Sequence, residues 1–155
     1  MLPVHTILFA TDFSESAQQA FILACAVARD CGARLVVLHV TPPPLSHEKL
    51  EADRNPEEYY GVLWKALREA RAPDDNVAVE HRLAEGDAAA QILHVAEETK
   101  AGLIVLGTHG RTGLPRLLLG SVAEQVLRRA RCPVLTVKSP FPAERAKQPE
   151  LLPEK

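Results

Sequence analysis

The sequence predicts an α/β fold: one open, doubly wound sheet of five parallel strands with helices on both faces. Three observations carry this prediction. Short β-branched apolar runs alternate with longer stretches of helical period. The strongest runs are apolar throughout, as in strands covered on both sides. The 155 residues, 46% of them apolar and 25% charged, are enough for one such core without a disulfide or metal staple.

Each element follows in turn. Thr6 to Ala10 reads as a first strand. Ser14 is placed to cap a first helix, with Glu15 in the turn where the helix dipole favours an acid. Ala17, Ala20, Phe21, Ala24, Ala28 and Cys31 recur at the spacing of one helix face, and Gly32 stops the helix. Leu35 to Val40 is the strongest strand signal, and Pro42-Pro43-Pro44 ends it. Leu45 to Asn55 is polar and poorly periodic and reads as a loop. From Pro56 a second helix places Tyr60, Leu63, Trp64, Leu67 and Ala70 on one side and stops near Pro73. Val77 to Leu83 alternates as a more exposed third strand.

Gly86-Asp87 reads as a turn, with Asp87 capping a third helix. Ala89, Ile92, Leu93 and Ala96 form its buried face, and it ends near Lys100. Gly102 to Gly107 is the fourth strand, and Thr108 to Leu119 a loop. Ser121 opens a fourth helix with Val122, Val126, Leu127 and Ala130 apolar. Pro133 to Val137 is the fifth strand, its leading proline tolerated at a sheet edge. Residues 139–155 read as a disordered tail, which leaves a domain over 1–138. Each crossover between parallel strands is expected to be right-handed.

Bulk properties exclude several functions. A net charge of −2 argues against a nucleic-acid binder. Cys25, Cys31 and Cys132 are odd in number and lack paired spacing, so neither a disulfide framework nor a zinc site is expected. No apolar run approaches the roughly 20 residues that span a bilayer, so no membrane partner is expected. The start of the chain lacks a signal-peptide pattern, and with reduced thiols this points to the cytoplasm. His5, His47, His81 and His94 show no metal spacing, and His39 reads as a satisfied core histidine.

Topology locates the site. Ligands of such sheets sit beyond the carboxyl ends of the strands, where the strand order reverses, here between strands one and four. Ala10-Thr11-Asp12-Phe13 follows the first and Gly107-Thr108-His109-Gly110 the second. Gly107 and Gly110 allow positive φ and close approach of backbone N–H groups to an anion. Gly120-Ser121 stands at a helix N-terminus, where unpaired N–H groups favour an anion and the Ser121 hydroxyl adds a hydrogen bond. Asp12 suits a ribose hydroxyl, a phosphate-bridging metal, or a helix cap. Val40 is placed for apolar contact with a base. Arg111 and Arg116 fit either phosphate pairing or an exposed solubilising role.

The segment Gly107-Thr108-His109-Gly110-Arg111…Gly120-Ser121 reads G-x2-G-x9-G-S. With Ile7 to Ser14, Glu85-Gly86-Asp87 and Cys132 to Val137, it resembles the ATP-binding branch of the universal stress protein family. The resemblance covers residues 4 to 138. It implies a Rossmann-like fold of the adenine nucleotide alpha hydrolase type. Asp12 would then bind the ribose end and Val40 the adenine. The glycine loop and the Gly120-Ser121 pair would hold the phosphates. Ala10, Thr11, Leu106, His109, Val122 and Ala123 would line the rest. The ligand implied is ATP, with ADP or AMP as alternatives and Mg2+ or Mn2+ as a companion ion. The resemblance also implies a homodimer through Val134 to Val137.

A phosphate site without a P-loop lysine or a base–nucleophile pair favours a nucleotide-dependent regulator in a stress response, with no catalytic residue assigned. A slow ATPase or autokinase of the same fold is one alternative. A protein-interaction module without nucleotide is the other.

Overall fold

In the computed structural model, which describes residues 3–42, 55–108 and 119–138, strands and helices alternate along the chain. They are β1 (Thr6–Ala10), α1 (Glu15–Cys31), β2 (Arg34–Thr41), α2 (Pro56–Glu69), β3 (Val79–Glu85), α3 (Ala88–Glu98), β4 (Leu103–Gly107), α4 (Ser121–Arg129) and β5 (Val134–Val137). All strand pairs are parallel, in the order β3-β2-β1-β4-β5. The order reverses between β1 and β4, as the sequence predicts.

Local chemistry sets the boundaries. Ser14 Oγ accepts the Ala17 N–H at 3.2 Å and opens α1. Gly32, at φ 64°, closes the helix with its N–H turned back on its carbonyls. Asn55 caps α2 and Asp87 caps α3, each through a side-chain oxygen.

Period-2 alternation sends neighbouring side chains of each strand to opposite faces. Ile7, Phe9, Leu35 and Val37 pack with the alanine face of α1 and with Leu67 of α2. Leu8, Val36, Leu38 and Ile104 pack with Ala89, Ile92 and Val126 of α3 and α4. Both faces are thus covered, which is why the strands read as unbroken apolar runs.

Some boundaries and faces differ from expectation. β3 begins at Val79, two residues later than predicted. Val77 is buried all the same, but in a turn whose N–H donates to the Asp74 carbonyl. Cys31 is exposed at the end of α1, whereas Cys25 is buried and its thiol is pushed up to about 11 by desolvation. Leu127 is 41% exposed, because α4 buries Ala123 and Val126 instead. The predicted tail and most of the predicted 45–55 loop lie outside the described residues.

At the amino ends of the strands Arg34 ties three of them together. It donates to Thr6 Oγ1 and to Glu80, each at 3.0 Å. Glu80 also pairs with Arg82, which reaches Glu98 of α3. These side chains are half-exposed, so each pair adds little stability on its own. Among the described residues no helix is long and apolar enough to cross a membrane.

Candidate functional site

A cavity of about 310 Å³ opens at the carboxyl ends of β1 and β4, within the roughly 300–1,000 Å³ range of small-molecule sites. Its floor is sheet: Ala10, Leu38, Val40 and Leu106. Ala88 and Ile92 of α3 form one wall, and Val122 and Ala123 of α4 another. Thr11, Asp12, Thr108, Gly120 and Ser121 supply a polar rim.

The β1–α1 turn holds its shape through its own side chains. Thr11 N–H donates to the Leu38 carbonyl at 2.8 Å. Thr11 Oγ1 accepts the Phe13 N–H at 3.0 Å, and Asp12 Oδ1 accepts the Ser14 N–H at 2.9 Å. Phe13 sits at φ 63°, in the left-handed region that bulky residues rarely enter. Asp12 thus braces Ser14, which is itself the cap of α1, and borders the cavity rim.

The β4–α4 connection is pinched at its base. Thr108 N–H donates to the Val137 carbonyl at 3.0 Å, and Gly120 N–H donates to the Thr108 carbonyl at 2.7 Å. The chain leaving β4 and the chain entering α4 therefore meet at one point. Gly120 is the N-cap of α4 and offers no side-chain cap, unlike the caps of α1, α2 and α3. The first N–H groups of α4 so begin at the cavity rim with no cap from the side chain of their own N-cap residue.

Gly107 does not take the positive φ predicted for it, although it borders the cavity. The positive-φ glycines among the described residues are Gly32 and Gly86, so Gly107 is not needed for a left-handed turn. It is needed for contact with α1. A Cβ there would stand 2.8 Å from Ser16 Oγ and 3.3 Å from the Ser16 carbonyl carbon and oxygen. Ser16 is buried, and among the described residues its hydroxyl has no hydrogen-bond partner.

Of the predicted site residues, Ala10, Thr11, Asp12, Val40, Leu106, Gly107, Gly120, Ser121, Val122 and Ala123 all border this cavity. His109, Gly110 and Arg111 lie outside the described residues, as does Arg116. Ala17, Leu38, Ala88, Ile92 and Thr108 also line it and were not foreseen. Leu38 stands two positions before Val40, so the strand period alone puts both on one face. Among the described residues no cluster of three or more His, Cys, Asp or Glu is arranged to hold a metal.

Comparisons with known proteins agree with this fold. The family model for the universal stress protein family matches residues 3–138. Universal stress protein MJ0531 of Methanocaldococcus jannaschii is 36% identical over 141 residues, covering 86% of this chain and 82% of its own. A universal stress protein solved in complex with cAMP shares the fold at TM-score 0.67 and 30% identity, over 87% of this chain and 97% of the other. The Archaeoglobus fulgidus universal stress protein in complex with dAMP does so at TM-score 0.60 and 25% identity, over 89% and 100%.

Proposed function

The chain belongs to the universal stress protein family, and from that membership we propose that it is a regulatory protein that binds ATP in the crevice between β1 and β4. The observation that carries this reading is the N-terminus of α4, which its N-cap Gly120 leaves without a side-chain cap, set beside an apolar floor and a rim carboxylate in one cavity. Structural relatives in complex with cAMP and dAMP support an adenine nucleotide as the ligand class.

Each part of the ligand has a matching surface. Val40 and Leu38 offer the base an apolar face. Asp12 suits the ribose: a carboxylate can accept about four hydrogen bonds, and the Ser14 N–H takes one. The α4 N–H groups and the Ser121 hydroxyl suit the phosphates. On the strength of the resemblance Gly110 joins them and His109 lines the rest of the pocket. Among the described residues Asp12 is the one carboxylate on the cavity lining. A Mg2+ or Mn2+ would therefore be carried mainly by the nucleotide's own phosphates and by water.

Calorimetric titration of nucleotide-stripped protein with ATP, ADP and AMP tests the reading. Saturable binding at one site per chain is expected, and no heat at millimolar ligand would overturn it. Val40→Asp places a charge where the base is assigned and lowers ATP affinity by at least about tenfold, ~1.4 kcal/mol.

We further propose a homodimer through β5. This strand is an outer one and carries Val134, Leu135 and Val137, and an apolar outer strand invites pairing with a second copy. Light scattering should return a mass near twice 16.9 kDa, and the monomer mass would refute the pairing.

A further inference from the structure

His39 and Val40 are neighbours in β2 and so face opposite sides of the sheet. Val40 borders the cavity on the α3/α4 side, and His39 does not. The His39 ring instead lies against Phe13, which packs on the α1/α2 core, with centroids 4.3 Å apart and planes tilted by 33°. His39 Nδ1 is 2.8 Å from the Thr11 carbonyl oxygen. A carbonyl only accepts, so Nδ1 carries the proton and donates it.

These two contacts fall on either side of Asp12. Thr11, just before it, is held through its carbonyl. Phe13, just after it, is held through its ring. Phe13 occupies a left-handed conformation at φ 63°, and such a conformation persists only where the surroundings over-determine it. One side chain that stays outside the cavity thus grips the residues on both sides of the rim carboxylate.

We propose that His39 is a positioning residue for the nucleotide site: from the far face of the sheet it fixes the Thr11–Phe13 turn that presents Asp12 to the ribose end of the ligand. This rests on the nucleotide reading above. The reading of His39 as a core histidine is thereby given a purpose, since its hydrogen bond serves the site's geometry.

The test is a double-mutant cycle in ATP affinity, measured by calorimetry on stripped protein. His39→Leu is expected to weaken ATP about tenfold in the wild-type background and less than about twofold in the Asp12→Ala background. His39→Asn carries an amide N–H at the same remove from the backbone as Nδ1. It should return affinity to within about threefold of wild type. His39→Gln places its amide one carbon further out and should not. If His39→Leu fails to fold, the Asn and Gln variants carry the test. Equal losses in both Asp12 backgrounds, or wild-type affinity in His39→Leu or in His39→Gln, would overturn the positioning role alone. A wild-type protein that takes up no ATP removes the nucleotide reading and this proposal together.

Discussion

Gly107→Val should lower the melting temperature by about 6–12 °C and remove measurable nucleotide binding. The reason is steric. The added Cβ would meet Ser16 Oγ at 2.8 Å, and that hydroxyl can swing aside by rotating about its own bond. The Ser16 carbonyl carbon and oxygen, 3.3 Å away, belong to the first turn of α1 and can move only with the helix. Two further methyls bring valine to the upper part of the ~1–3 kcal/mol range for overpacking. In a domain of this size each kcal/mol shifts the midpoint by roughly 2–4 °C. The displaced α1 carries the Thr11–Ser14 turn with it, so the cavity loses one side while its floor remains. Urea denaturation checks the stability part: a lower midpoint at unchanged slope is expected. Gly107→Ala should show a smaller effect of the same sign. A wild-type midpoint in both variants would refute the close contact.

Phe9→Ala should cost about 3–5 kcal/mol, a large share of the roughly 5–15 kcal/mol that holds a domain folded. Phe9 is 1% exposed, in the central strand with β2 on one side and β4 on the other. Its ring stands 5.3 Å from that of Phe21 on α1. Removing it leaves a cavity walled by strands paired on both sides, which cannot collapse to fill it. Phe9 faces α1 and α2, away from the cavity proposed to take the nucleotide. The fraction that remains folded should therefore bind ATP with near wild-type affinity. Phe9→Leu, which retains most of the volume, should cost under about 1.5 kcal/mol. Chemical denaturation separates the two variants, and equal midpoints would show that this layer repacks freely.

The contrast between these variants reflects what the residue pattern makes legible. Buried strands announce themselves by unbroken apolar runs, so β1, β2 and β4 were placed to within about one residue at either end. Side-chain caps are equally legible, since Ser14 and Asp87 combine a local acceptor with a following helical period. β3 was misplaced because burial and strand pairing are different things. Val77 is buried through a turn, and pairing with Leu35 starts only at Val79. Leu127 was misassigned because nine residues of α4 give too short a stretch for the apolar period to outvote the actual contact with α3.

At the site, the junction of β1 and β4 follows from topology, so Asp12, Gly107 and Gly120 could be brought together from the pattern alone. The α3 wall could not. Ala88 and Ile92 are ordinary helix residues, and only the docking of α3 across the sheet puts them there. The close packing of Gly107 on α1 is hidden in the sequence, because nothing local reveals that a helix from the other end of the chain presses on it. The contact that braces Phe13 is equally hidden, as its ring lies against His39, 26 residues away in β2.

The strand order has a consequence in time. Ile7 pairs with Leu103, and the cavity that joins Ala10 to Ala123 spans 113 positions of chain (123 − 10). At about 5–20 residues per second of synthesis, roughly 6–23 s separate the appearance of its first and last lining residues. The β1–α1–β2 half can dock early, but β1 waits for β4 with one ladder edge unpaired. The crevice closes only when α4 has emerged. If the cavity takes a nucleotide as proposed, that ligand would meet only the nearly finished chain: it would lock assembly in place and would not seed it.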